Sequence, residues 1–288
     1  MQRVLKPILT SQNGFTFQVV SDIHLEFLKI PYPTSFIEPS SDVLFLAGDI
    51  GKPDDALKCW LITIAKNFKA VIYVPGNHEY YQTKKDSILF FRQVNEHLQG
   101  YQDEIDNLFI LNPGVIEIGG VRVIGATLWS YVPIHARAEV GFRLNDYQHI
   151  YKDTIDESNI KNITVADTVR WHEEELAFIT EELKIAKGNS QSALLCSHHA
   201  PMLLDTSPEQ YQGVLGNETL HGFATDLMYL FHDYGSPQNS TLKWAIHGHT
   251  HHNHLGEYHG TMVYSNQMGY SAKHTGNCYA MKDVKSVQ

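Results

Sequence analysis

The sequence predicts an α/β fold. Continuous apolar runs recur along the chain and end in polar tips, helix-forming stretches separate them, and no linker, repeat or low-complexity tract interrupts the 288 residues. Apolar runs without polar alternation are buried on both faces, as parallel strands covered by helices are. A chain of this length makes one large domain or two small ones. Its dispersed glycines and prolines leave one domain over 1–288 as the expectation.

The elements follow in order. Phe15–Val20 (FTFQVV) reads as a strand and runs into Ser21-Asp22-Ile23-His24. Asp42–Ala47 (DVLFLA) is a buried strand ending at Gly48-Asp49. A helix over about 54–66 follows, with Pro53 suited to its start. Ala70–Val74 (AVIYV) is the third strand and ends at Pro75-Gly76-Asn77-His78-Glu79, and a second helix is expected over about 85–98.

The middle changes character. Val115–Ile118 and Val121–Gly125, joined by Gly119-Gly120, read as a hairpin. Residues 131–163 show no clear periodicity and carry aromatics, arginines and histidines. A stretch that long without regular structure is usually functional or mobile, so a lid or insert is expected there. Residues 164–186 form an amphipathic helix, with Val165, Val169, Leu176, Ile179 and Leu183 at helical spacing, stopped by Gly188-Asn189. Ser192–Cys196 then leads into Ser197-His198-His199, Leu242–Ile246 leads into His247-Gly248-His249-Thr250-His251, and Thr261–Ser265 closes the pattern.

Composition narrows the function. With 22 Lys+Arg against 32 Asp+Glu, the net charge is -10. Such a surface repels phosphate backbones, so no strong nucleic-acid binding is expected. Cys59, Cys196 and Cys278 are too few and too scattered for a disulfide framework or a thiolate zinc site. No apolar run reaches membrane-span length, and the start lacks a continuous signal-peptide core. The expectation is a cytoplasmic protein without a membrane partner. No heptads mark an oligomer interface. Histidine, at 17, is the unusual count, and six of these lie between His247 and His259.

The chemistry-bearing residues share one position. Asp22 and His24, Asp49, Asn77 and His78, His198, and His249 with His251 each stand just past the carboxyl end of a strand. Ligands of open α/β sheets bind there, so these tips can converge. They offer oxygen and imidazole donors and no thiolate, which suits Mn²⁺, Fe²⁺/Fe³⁺, Zn²⁺ or Ni²⁺. The donors exceed the three or so that one catalytic zinc takes. That surplus points to two divalent ions sharing a bridging carboxylate, for which Asp49, alone on its tip, is the natural choice. His198 and His199 compete for one place. Asp22 and Asp49 also suit helix N-caps, and Asn77 a left-handed turn, but the set of tips outweighs those readings.

Asp22-Ile23-His24, Gly48-Asp49, Gly76-Asn77-His78-Glu79, the His198 region and Gly248-His249-Thr250-His251 resemble the ordered motifs of the calcineurin-like metallophosphoesterases. The resemblance spans roughly residues 15–270. It implies a four-layer sandwich of two mixed sheets flanked by helices. It implies that Asp22, His24, Asp49 and His251 hold one metal, and that Asp49, Asn77, His198 and His249 hold the other. It leaves His78 unligated near the leaving group, with Glu79 behind it. An imidazole there can protonate a leaving oxygen; neighbouring cations disfavour its charged form and Glu79 would favour it.

The activity this implies is hydrolysis of a small phosphoester, a phosphodiesterase first, by in-line attack of a hydroxide between two metals. A phosphomonoesterase or nucleotide phosphatase is the alternative, and a non-catalytic scaffold of the same fold a more distant one. His199, Arg137, Arg143 and Tyr131 are expected substrate contacts, Tyr80 and Tyr81 packing residues, and His247 a structural histidine.

Overall fold

The computed structural model describes residues 2–8 by their backbone and, with side chains, residues 13–82, 88–154, 160–208, 211, 217–270 and 279–288. Two sheets carry the architecture. The 5-stranded sheet runs β12-β2-β3-β4-β5, where β2 is Phe15–Val20, β3 Val43–Ala47, β4 Ala70–Val74, β5 Leu108–Ile110 and β12 Lys285–Val287. Strands β2 to β5 are parallel and β12 is antiparallel to β2. The 7-stranded sheet runs β1-β6-β7-β8-β9-β11-β10. Its strands are β1 (Gln2–Ile8), β6 (Gly114–Ile118), β7 (Val121–Ala126), β8 (Ala193–Ser197), β9 (Leu242–Ile246), β10 (Leu255–Tyr258) and β11 (Thr261–Tyr264). Here β7, β8, β9 and β11 are parallel, whereas the β6–β7 hairpin and the β10–β11 pair are antiparallel.

Side-chain alternation makes the layers. In β3, Val43, Phe45 and Ala47 face the other sheet, while Leu44 and Leu46 face helices α1 (Asp55–Ala65) and α2 (Phe91–Glu104), the period of two that a pleated strand imposes. The inter-sheet layer joins Phe17, Phe45 and Ile72 to Ile116, Val123, Leu194 and Ile246. Phe17 meets Trp244 edge-on at 5.3 Å across the gap. Each such buried side chain stabilises the docking by about 1.5–3 kcal/mol. Beyond the 7-stranded sheet, Ile124, Leu195 and Ala245 pack on α5 (Val165–Gly188) and α6 (Met228–Tyr234). The result is helices, sheet, sheet and helices: the four-layer sandwich.

The strands anticipated from sequence form within a residue or two of their expected ends. Asp54 caps α1, accepting from the Leu57 N–H at 2.9 Å, and Thr164 begins α5 with Asp167 returning to its N–H at 2.8 Å. The helix anticipated over 85–98 differs: α2 starts at Phe91, and residues 85–87 lie outside the described residues. The stretch 131–163 also differs from expectation. It holds a 3₁₀ turn at Ile134–Ala136, then α3 (Arg137–Arg143) and α4 (Asp146–His149). Val132, Ala136, Val140 and Leu144 pack it on Val165 and Val169 of α5. Helices this short present too few turns for a 3.6-residue period to show in sequence.

Candidate metal centre

The parallel strands of both sheets deliver their carboxyl ends to one place. Tight turns there aim the side chains. Asp22 (φ 55), His24 (φ 52), Asp49 (φ 54), His249 (φ 73) and His251 (φ 50) all adopt left-handed backbone, which costs non-glycine residues energy and collects at functional sites. Asn77 instead is right-handed, at φ -75. Gly76 has a steric reason: a Cβ there would fall 2.3 Å from Asp49 Oδ1 and 2.6 Å from His198 Cε1.

Two donor sets result. In one, His24 Nε2 lies 3.1 Å from His251 Nε2, and His251 Nε2 lies 3.3 Å from Asp22 Oδ1. In the other, His198 Nε2 lies 3.0 Å from Asn77 Oδ1, 3.1 Å from His249 Nδ1 and 3.3 Å from Asp49 Oδ1. Asp49 belongs to both, because its Oδ2 lies 3.9 Å from His24 Nε2. Asp22, Asp49, Asn77, His24, His198 and His249 are buried.

The donors fit divalent cations. His198 Nδ1 donates to the Ala47 carbonyl at 2.9 Å, so in the neutral ring Nε2 is a bare lone pair. His24 Nδ1 is held likewise by Glu26 Oε1 at 3.2 Å. Asn77 spends its N–H groups on Asp146 (2.7 Å) and Tyr81 (3.1 Å), leaving Oδ1 for the cluster. Acceptors gathered about 3 Å apart are held together by protons or by a cation among them, and outer partners that fix ring and amide orientation are the habit of metal sites. Electrostatics agree. Burial alone would depress His198, yet Asp49 and Asp22 overcome it and lift it to about 9. Burial would raise Asp49, but His198 and His78 hold it well below the carboxylate range. A cation would take the place of these protons.

His78 stands beside the sets without joining either. Its Nδ1 contacts Glu26 Oε1 at 2.9 Å, its Nε2 lies 3.0 Å from the Tyr270 hydroxyl, and Tyr81 stacks on it at 4.2 Å. Burial would lower its pKa, but Asp49, Glu26 and Asp146 raise it to about 9. The centre opens into a cavity of about 440 Å³ walled by Arg143, Leu144, Phe223, Tyr270 and His251 among others.

Several expectations need correcting. Glu79 does not reach the His78 ring. Its carboxylate accepts the N–H groups of Asp49, Ile50, Gly51 and Gly76 and the Tyr73 hydroxyl, because turning out of a tight loop brings it back over the backbone. The carboxylate at His78 is Glu26, two residues past His24. His199 is 1% exposed, lies against His249 with tilted rings 4.1 Å apart, and does not line the cavity. Arg137 Nε donates to the Val132 carbonyl, and neither Arg137 nor Tyr131 lines the cavity. Arg143 does, paired with Glu139 at 2.8 Å. Tyr81 is a cavity residue as well as a packing one. His247 is buried against the Gly248 carbonyl, a structural place.

Fold and site together define a metallophosphoesterase. The calcineurin-like phosphoesterase model matches residues 15–253, and the chain belongs to that family. It is 30% identical to the uncharacterized protein L509 of Acanthamoeba polyphaga mimivirus over 285 residues, 92% of this chain and 95% of that one. Over 93 residues, 31% of this chain and 29% of the relative, it is 33% identical to the [acyl-carrier-protein] phosphodiesterase PptH of Mycobacterium tuberculosis. The crystal structure of phosphopantetheinyl hydrolase (PptH) from Mycobacterium tuberculosis superposes with a TM-score of 0.66 at 19% identity, covering 94% of this chain and 95% of that one. That likeness carries the fold. Among the described residues no helix is long and apolar enough to cross a membrane.

Proposed function

We propose that the protein is a phosphodiesterase acting on a small phosphoester, with two divalent ions at the two donor sets. The observation that carries the reading is Asp49, whose carboxylate oxygens address different sets. Bound there, such ions supply charge stabilisation of the phosphoryl oxygens and an acidified water for in-line attack. Mn²⁺, Fe²⁺/Fe³⁺, Zn²⁺ and Ni²⁺ all suit these nitrogen and oxygen donors.

The chain's residues do the rest. Asp22, His24 and His251 would hold one ion, Asn77, His198 and His249 the other, and Asp49 both. His78 would hold a proton on Nε2, facing the cavity, and pass it to the departing oxygen. Glu26 keeps the opposite nitrogen occupied, so that Nε2 is the nitrogen that acts. Leu144 and Phe223 line the cavity and would restrict water around a phosphoester bound there.

Charge favours a diester. Among the described residues lining the cavity, Arg143 is the one lysine or arginine, and Glu139 already pairs with it. A monoester dianion asks for more positive charge than a diester monoanion. The mycobacterial relative PptH is an [acyl-carrier-protein] phosphodiesterase, which supports the same class. The net charge of -10 makes a small substrate a better match than long nucleic acid.

The test compares bis(p-nitrophenyl) phosphate with p-nitrophenyl phosphate, on chelated protein with Mn²⁺ restored. Metal-dependent turnover of the diester in excess is expected. Turnover of the monoester alone would replace the reading with a phosphomonoesterase. Bound metal without turnover of either would favour a non-catalytic scaffold. Asp49→Ala should lose both ions by metal analysis and all measurable activity; full activity in that variant would sink the mechanism.

A further inference from the structure

We propose a further metal site, apart from the Asp49 centre, formed by His135, Glu218 and His221 and suited to Zn²⁺ or a similar borderline divalent ion. The residues come from two short elements. His135 sits in the 3₁₀ turn Ile134–Ala136, and Glu218 and His221 sit in the 3₁₀ helix Glu218–Gly222. A 3₁₀ helix has three residues per turn, so side chains three apart lie over one another on one face. Glu218 and His221 therefore present a carboxylate and an imidazole side by side, and His135 reaches in from the facing turn.

The geometry is close to a ligand set. His135 Nε2 lies 3.2 Å from Glu218 Oε2. The two imidazole rings stand 5.8 Å apart and nearly perpendicular, at 88°. One donor atom from each residue lies within 4.8 Å of the other two. Bonds of about 2.0–2.2 Å around a tetrahedral zinc place its donors roughly 3.3–3.6 Å apart. The His135–Glu218 separation of 3.2 Å is close to that spacing, and a donor of His221 lies within 4.8 Å of both partners. Two imidazoles and one carboxylate select a borderline ion over Mg²⁺ or Ca²⁺, which prefer all-oxygen shells. His135 is 66% exposed, so the ion enters from solvent and keeps water in its open position.

The site has a consequence for the cavity. The turn bearing His135 leads into α3, which ends at Arg143, a wall residue. The helix bearing Glu218 and His221 carries Thr219 and leads to Phe223, and both of these also line the cavity. An ion at this place would pin these two neighbouring cavity-lining elements to each other outside the reaction centre.

The test is equilibrium dialysis of chelated protein against Zn²⁺, with the parent chain beside His135→Ala/His221→Ala. The double variant should bind one equivalent fewer. Single His135→Ala, at an exposed position, should show the same loss and guards against misfolding of the double variant. Crystals soaked in Zn²⁺ should show an anomalous peak among the three side chains. Equal stoichiometry in all chains, or no peak there, would overturn the proposal and leave a surface His–Glu ion pair only. The readout is a difference between chains, so it stands whether the Asp49 centre takes two ions, one or none.

Discussion

Glu26 Oε1 lies 2.9 Å from Nδ1 of His78. The same oxygen lies 3.2 Å from Nδ1 of His24, so one carboxylate orients a metal-set imidazole and the unligated one beside it. Glu26→Gln keeps the shape and loses the charge. It should retain bound metal and lose roughly 10–100-fold in kcat, most with alkyl leaving groups and least with nitrophenolate. A leaving-group series with parallel metal analysis checks this; an unchanged kcat on alkyl esters would refute the role.

Asp146 acts on the other set. It accepts from Asn77 Nδ2 at 2.7 Å and from the Tyr81 hydroxyl at 2.6 Å. Without it the Asn77 amide is free to turn its oxygen away from His198. Asp146→Ala should weaken metal affinity roughly 10–100-fold, with activity regained at high Mn²⁺. Activation curves against metal concentration measure the shift, and identical curves would contradict it.

Glu79 is a brace. Its oxygens close the loops after β3 and β4 by accepting four backbone N–H groups and one hydroxyl. Burial, with Asp49 nearby, raises its pKa, and these donors are what offset that cost. In Glu79→Gln an amide NH₂ would face N–H donors. The metal-free chain should lose about 3 kcal/mol or more, read from urea unfolding, and excess metal should not restore the parent rate. A loss below measurement error would show that the loops hold without it.

Glu175 gives a pH test away from the metal sets. Burial lifts it from the ordinary 4.5 to about 8, against the opposing backbone N–H groups of Trp129 and Leu128. The native chain therefore keeps a proton that the unfolded chain releases. This contribution is whole below about 4.5 and is lost as pH rises to about 8. Glu175→Gln should flatten that decline, as urea midpoints at acidic and mildly alkaline pH would show. Parallel pH curves for the two chains would contradict the assignment.

The strands that bear the donors were legible because each is a continuous apolar run with a polar tip, a pattern local to a few residues. The edges were not. Strand β5 spans Leu108–Ile110 and β12 Lys285–Val287, too short for any periodicity, and β10 alternates exposed and half-buried residues on an open edge. In the centre, residues on the tips could be read and those that orient them could not. Asp146 lies 69 residues from Asn77, and nothing in its neighbourhood marks it. Glu26 was within reach: two residues past His24, it is the nearest carboxylate able to turn back onto that ring. Glu79 misled because adjacency in sequence to His78 is not adjacency of side chains in a tight loop.

The donor sets also cross a seam. Asp22, His24, Asp49 and Asn77 follow strands of the 5-stranded sheet, while His198, His249 and His251 follow strands of the 7-stranded one. Each set draws from both, so neither half of the sandwich can complete a binding place alone. Ions seated there would act as rivets through the joint between the sheets. Catalytic competence would then report that the two halves are docked, and chelation should slacken that joint before it unravels either sheet.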